Sequence, residues 1–313
     1  MNKNSNVLIV GDTGLVGSNL KKHLVNSGYV NILGINSKNC NLLNKKEVDN
    51  YFSIHTPEYI FLVAGKVGGI GINNNESGDM IYENLLIASH VINACHVSKV
   101  KKMLYTGSSC IYPKFCPQPI KEEYLLTGEL EQTNIGYAVA KIAGLTMCDM
   151  YRKQYGCNFI SVMPTNLYGP GDNFHLENSH VLPAIMRKIH DAKQRDDKFI
   201  ELWGSGTPLR EFLFIDDLAE ALVFLMNEYD EAGIINVGVG KDISIENLAK
   251  LIKEIIGYDG PIIWDASKPD GTPKKVLDVS KINKLGWSAK TELKEGIEKT
   301  YKWFSENYEN TRL

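Results

Sequence analysis

At 313 residues the chain is long for one compact core, so a main domain with a smaller second lobe is expected. Apolar residues at 43% and charged residues at 23% are the balance of a folded soluble protein, and a net charge of −3 offers no basic field for nucleic acid or an anionic membrane. No apolar run approaches the roughly 18 residues of a membrane helix, and the polar start from Met1 to Asn6 lacks a signal-peptide core, so a cytoplasmic location is expected.

Short apolar runs alternate with longer amphipathic stretches through the first half. Strands are expected at Val7–Val10, Val30–Leu33, Tyr59–Val63, Lys102–Tyr105 and Phe159–Met163, with helices near Gly17–Ser27, Ile81–His96 and Tyr137–Tyr155. Continuous apolar strands joined through helices imply a parallel sheet buried on both faces, wound by right-handed crossovers into an α/β doubly wound Rossmann fold. After Met163 the rhythm breaks at Pro164, Gly169, Pro170, Gly171 and Asp172, and shorter, less regular elements are expected. Ile234–Val237 still reads as a sheet strand. The expected division is therefore a dinucleotide-binding domain of residues 1–165 and 211–240, and a smaller α/β substrate lobe of residues 166–210 and 241–313.

Cys40, Cys95, Cys110, Cys116, Cys148 and Cys157 show no CxxC pair and no zinc-ligand rhythm, so free thiols and no metal are expected. Gly11-Asp-Thr13-Gly14-Leu15-Val16-Gly17 follows the first strand and opens a helix, the setting in which backbone amides hold a pyrophosphate. At the end of the second strand stand Asn36, Ser37 and Lys38 in place of the acid that selects NAD; they read either as donors to a 2′-phosphate, favouring NADP, or as an exposed loop.

Tyr137 and Lys141 are spaced i, i+4 and share a helix face, where an ammonium is expected to lower the tyrosine pKa. A tyrosine so placed suits protonation of a ketone oxygen during reduction. Ser108 or Ser109, just past the Lys102–Tyr105 strand, falls at the same carboxyl edge of the sheet and can hydrogen-bond that carbonyl. The alternative for the serines is loop capping.

The GxxGxxG spacing, the serine before Tyr137-Ala-Val-Ala-Lys141, and Pro164-Thr-Asn-Leu-Tyr-Gly-Pro170 resemble the extended short-chain dehydrogenase/reductases that act on nucleotide sugars. Ala64-Gly-Lys-Val-Gly-Gly69, Gly107-Ser-Ser-Cys-Ile-Tyr-Pro-Lys114, Asp172-Asn-Phe-His175, Ser179-His-Val181, Trp203-Gly-Ser-Gly-Thr-Pro-Leu-Arg-Glu-Phe212 and Asp265–Pro273 are similar to the GDP-L-fucose synthase subfamily. The resemblance covers nearly the whole chain. It implies an NADPH-dependent enzyme that inverts C3 and C5 of a GDP-4-keto-6-deoxy sugar and reduces its C4 ketone.

By the same resemblance Cys110 is the base and His180 the acid of epimerisation, while Ser108, Tyr137 and Lys141 serve reduction. A thiol and an imidazole, with ordinary pKa values of about 8.5 and 6.5, can exchange protons near neutrality. The resemblance puts Ala64, Gly65, Tyr137, Lys141, Pro164, Asn166, Leu167 and His180 beside the cofactor. It puts Ser109, Asn166, Lys188, Trp203 and Arg210 on the GDP-sugar. Left to themselves, Cys110 reads as a small buried residue, His180 as a loop or cap histidine, Trp203 as core and Lys188 as a solvated helix face. The family commonly carries a basic residue in the glycine loop, where this chain has Asp12-Thr13, which weakens the NADP reading. The family also pairs through a four-helix bundle, and the Asn84–His96 and Tyr137–Tyr155 helices are apolar on more than one face, so a homodimer is expected. The alternatives are C4 reduction of a GDP-4-keto-heptose with a separate epimerase, and a cofactor-binding sensor that has lost its chemistry.

Overall fold

Alternating burial along the first strand sets the architecture. In β1 (Val7–Val10) Leu8 and Val10 enter one hydrophobic core and Val7 and Ile9 another, so the strand is covered on both faces. The structure, a computed structural model, describes residues 1–176, 178–268 and 270–311. Pro269, inside the Asp265–Pro273 motif, and the last two residues of the expected lobe lie outside the described residues.

After β1 come α1 (Leu15–Asn26), β2 (Ile32–Ile35), α2 (Lys45–His55), β3 (Tyr59–Leu62), α3 (Ile70–Asn75), α4 (Ser77–Val97), β4 (Lys102–Thr106), α5 (Ile135–Tyr155) and β5 (Phe159–Pro164). The chain continues through β6 (Asn166–Tyr168), α6 (Val181–Arg195), β7 (Ile200–Trp203), β8 (Leu209–Arg210), β9 (Phe212–Phe214), α7 (Ile215–Glu228) and β10 (Ile234–Val237). It ends with β11 (Ile243–Ser244), α8 (Ile245–Ile256), β12 (Ile262–Asp265), β13 (Lys274–Lys275), α9 (Ser280–Lys284) and α10 (Leu293–Glu306).

Six strands form one parallel sheet in the order β10-β5-β4-β3-β1-β2. One face carries α2, α4 and α5, whose Val48, Phe52, Val91, Ile92 and Leu145 join the first core. The other carries α1 and α7 through Leu20, Leu24, Leu218 and Leu222. A third core lies apart, where α6, α8 and α10 bury Ile185, Ile189, Leu248, Ile252 and Phe304 against one another. Cys40, Cys95, Cys116 and Cys148 are buried, Cys110 and Cys157 half-buried, and all six are free thiols. Among the described residues no helix is long and apolar enough to cross a membrane, and no group of three or more His, Cys, Asp or Glu side chains could hold a metal ion.

Two expectations are corrected here, and one helix is added. The second strand runs over Ile32–Ile35 instead of Val30–Leu33, because Val7 pairs with Ile32 and Val30 is left 67% exposed. A helix over Lys45–His55 was not anticipated, since only Val48 and Phe52, one turn apart, bury apolar surface. The later strands are short, yet α6, α7 and α10 each run 14 or 15 residues, so the Pro/Gly signals mark junctions and not a loss of helix.

Candidate functional site

The carboxyl ends of β1, β3, β4 and β5 converge on one edge of the sheet, and β1 and β3 flank the point where strand order reverses. Crevices at that point bind ligands in open α/β sheets. There Gly11 N and Asp12 N donate to Ile35 O at 2.7 and 3.2 Å, pinning the turn to the end of β2. Gly11 has φ +98°, and a Cβ on it would stand 2.9 Å from the Ala64 backbone. At Gly17 a Cβ would stand 2.0 Å from Gly11 O, so α1 enters against the turn as only glycine allows. Gly14, the N-cap of α1, meets nothing nearer than Gly11 O at 3.6 Å. No side chain caps this helix and no acid lies in its first turn, so the N–H groups of Leu15, Val16 and their neighbours stand ready for an anion. The cradle fits a dinucleotide pyrophosphate. Exposed Thr13 completes the turn.

The end of β2 is less open than its sequence suggests. Asn36 Nδ2 donates to Asp12 Oδ1 at 2.9 Å, and Asn36 Oδ1 accepts from Lys38 N at 3.0 Å. Asp12 is itself buried and paired with Lys21 Nζ at 3.2 Å, so its charge is compensated within the fold. Ser37 and Lys38 are exposed. Lys21, which no motif indicated, brings a second ammonium to this corner from the next turns of α1.

α5 stops at Gly156, which takes the left-handed conformation at its C-cap, and its first turns lie against the end of β4. Lys141 is buried and donates to Thr106 O at 2.9 Å, with its ammonium 5.7 Å from the Tyr137 ring centroid. Desolvation pushes the Lys141 pKa down to about 8. The Tyr137 pKa is raised, first by burial and then by the Cys110 charge, with a Ser108 hydrogen bond opposing. This corrects the expectation that Lys141 lowers it: the ammonium is tied to a backbone carbonyl and burial of the phenol dominates. Ser108 begins a 3-10 turn at Ser109–Ile111, and its hydroxyl accepts from Cys110 N at 3.2 Å. The same hydroxyl acts to lower the pKa of both the Tyr137 phenol and the Cys110 thiol. Ser109 is buried beside Cys110, so Ser108 is the serine that faces the tyrosine.

Burial raises the Cys110 pKa, but Lys275, Ser108 and Arg210 outweigh it and the net shift is downward. Lys275 Nζ donates to Cys110 Sγ at 3.5 Å. His180 is the N-cap of α6 and exposed to the cleft, while the protein around it, and then Lys275, lower its pKa. Gly69 N donates to Asn178 O at 3.2 Å, which holds the loop after β3 against the segment before His180. Gly65 lies over Lys141: a Cβ on it would stand 3.5 Å from the ammonium and 2.7 Å from Asn84 Oδ1. Buried Asn84 fixes this loop by accepting from Lys66 N and donating to Lys66 O. Past β5, Pro164 is buried and Leu167 half-buried, while Asn166 Nδ2 donates to Glu211 O at 2.7 Å.

Further out, Trp203 is 54% exposed, which excludes the core reading. Lys188 and Lys268 stand 5.4 and 5.6 Å from its ring centroid. Lys188 is half-buried and donates to Glu201 O, so it is no solvated helix face. Arg210 donates to Leu209 O and Asp270 O and faces the Cys110 thiol. An exposed aromatic face ringed by cations, close to an arginine, suits a base and its phosphates.

Residues 7–238 match the NAD dependent epimerase/dehydratase family. The chain belongs to that family. Among epimerase/dehydratase relatives it is 50% identical to the probable GDP-L-fucose synthase 1 of Oryza sativa subsp. japonica, over 97% of this chain and 93% of that protein. It is 45% identical to the GDP-L-fucose synthase of Escherichia coli strain K12, over 98% of each. Among solved structures it is similar to a GDP-mannoheptose C4 reductase from Campylobacter jejuni with NADP bound, at 35% identity and a TM-score of 0.89, over 97% of this chain and 99% of that one. The matched span of residues 7–238 contains the glycine cradle and Ser108, Tyr137 and Lys141. Lys275, Lys21 and Asn84 lie outside every motif used above. Only Asn84 left a signal, as an amide in the midst of an apolar helix.

Proposed function

We propose that the protein is an NADPH-dependent epimerase/reductase of a GDP-4-keto-6-deoxy sugar, a GDP-L-fucose synthase in its activity. The observation that carries this reading is the turn in which Cys110 N donates to the Ser108 hydroxyl at 3.2 Å, beside Lys141 held at Thr106 O and facing the Tyr137 ring. One turn thereby joins a proton donor for ketone reduction to a base for epimerisation. The match at 45–50% identity to GDP-L-fucose synthases, against 35% to the heptose C4 reductase, favours the hexose over the heptose alternative. An assembled Ser108, Tyr137 and Lys141 set argues against a sensor.

The C4 ketone acidifies the protons on C3 and C5. The Cys110 thiolate takes such a proton, leaving the electron pair in the C4 enolate, and the new thiol later returns its proton to water. His180 delivers a proton to the opposite face of the same carbon. Its lowered pKa makes the imidazolium a ready acid, and its exposure lets the ring take up a fresh proton from solvent between turnovers. NADPH supplies the hydride that reduces C4. Tyr137 gives its proton to the C4 oxygen while Ser108 hydrogen-bonds that oxygen; a raised pKa keeps the phenol protonated and ready to donate. Asn166 and Leu167 line the reacting ring, and Lys188, Trp203 and Arg210 hold the nucleotide. Six unpaired thiols suit a reducing compartment, and we place the enzyme in the cytoplasm, as a homodimer.

The test is incubation with NADPH and GDP-4-keto-6-deoxy-mannose in deuterated water. Expected are loss of NADPH absorbance and a product carrying solvent deuterium at both C3 and C5. Reduction without deuterium at either carbon would leave a plain C4 reductase.

A further inference from the structure

One charged group against the candidate base has no role in the reading so far. β13 pairs in parallel with β8, placing Lys275 in register with Arg210. The strand is held on both sides: Val276 N donates to Gln118 Oε1 at 3.0 Å, and Leu277 N to Glu211 Oε2 at 2.8 Å. The neighbouring lysines are each neutralised, Lys274 by Asp242 at 3.1 Å and Lys114 by Glu131 at 2.9 Å. Lys275 is paired with no carboxylate among the described residues, and its ammonium points instead at Cys110 Sγ, 3.5 Å away.

We propose that Lys275 is a positioning residue for epimerisation, the fixed counter-charge that holds the Cys110 sulfur as an anion aimed into the cleft. The inference rests on the reading of Cys110 as the base. A half-buried thiolate needs a compensating cation, because removing an anion from water without a partner is costly. The groups facing the thiol are Lys275 from β13, Arg210 from β8, Tyr137 from α5 and Ser108 from its own turn. Of these, Lys275 makes the largest electrostatic contribution, and Arg210 a smaller one. The same ammonium lowers the pKa of His180. Lys275 thus favours the thiolate and adds to burial in making the His180 imidazolium a stronger acid.

The experiment measures the rate of Cys110 alkylation by iodoacetamide against pH, read on the Cys110 peptide by mass spectrometry, with Cys110→Ser as blank. Wild type, Lys275→Met and Lys275→Arg are compared, after NADPH binding and circular dichroism show that each is folded. Removing an opposite charge at this distance should raise the alkylation midpoint by about one to three pH units in Lys275→Met, with Lys275→Arg recovering most of the shift. An unchanged midpoint in folded Lys275→Met overturns the proposal, as does an equal shift in both variants. The pH profile of deuterium exchange at C3 and C5 is followed in parallel. If alkylation shifts and exchange does not follow, Lys275 still tunes the thiol and it is Cys110 as base that fails.

Discussion

Each polar side chain at the cleft has a partner that limits what it can do. Lys141 is anchored to Thr106 O and cannot swing to neutralise a distant charge, so its service to reduction is local. Tyr137 is protonated throughout the neutral range, which makes it an acid and a poor base. Tyr137→Phe should therefore cut NADPH-dependent reduction by about 10²–10⁴-fold, the usual contribution of one general acid. NADPH affinity should stay close to wild type, because the cradle is built from other residues. Exchange at C3 and C5 should continue, since the thiol that drives it is untouched. Stopped-flow reduction and deuterium uptake measure the two effects separately; a variant keeping more than about a tenth of wild-type turnover removes Tyr137 from the mechanism.

At the scale of elements, legibility followed how local each signal was. The β1 turn and the opening of α1 were readable because strand, glycine spacing and helix are contiguous, and β3, β4, β5 and β10 were readable as apolar runs. The frame of β2 was not: Val30-Asn-Ile-Leu-Gly-Ile35 supports a strand in either of two frames, and the choice is made by pairing with β1. α2 was missed for want of an apolar stripe. Its start nevertheless carries a capping signal, with Asn44 Oδ1 accepting from Lys46 N and Glu47 Oε2 accepting from Asn41 N. Lys275 could not be found from sequence at all, because two-residue strands have no periodicity and β13 reaches Cys110 only through contacts between segments far apart in the chain. The cradle itself supports a paired test. Gly17→Ala puts a methyl into the Gly11 carbonyl and should destabilise the fold by about 1–3 kcal/mol, the usual range for overpacking. Gly14→Ala meets only ordinary contact at 3.6 Å, so it should melt near wild type while hindering the approach of a pyrophosphate. Thermal melts and NADPH titration of both variants check this; equal losses of stability, or tight NADPH binding by Gly14→Ala, would contradict it.

For the whole molecule the open question is what covers the outer side of α4 and α5. These helices pack closely on each other and turn Ala88, Val91, Ile92, Leu145 and Cys148 inward to the first core. That inward face would have absorbed the surplus apolar residues had they belonged to the protein's own sheet. It does not. On α4, Tyr82 is 61% exposed and Val97 67%, with half-buried Leu86 on the same side. On α5, Ile135, Val139 and Met150 remain exposed at roughly helical spacing. Two adjacent helices with apolar outer stripes form a self-complementary surface, and a two-fold axis through it would stack four helices with no new element required. Light scattering at micromolar concentration should thus return about twice the 35.0 kDa chain mass. Placing like charges on the stripe, as in Val139→Glu with Met150→Glu, should yield a monomer, because unpaired charges are excluded from the centre of such an interface. The cleft lies at the carboxyl edge of the sheet, so the monomer should still bind NADPH. A wild-type protein that scatters as a monomer would mean that the stripe is covered by something other than a second copy.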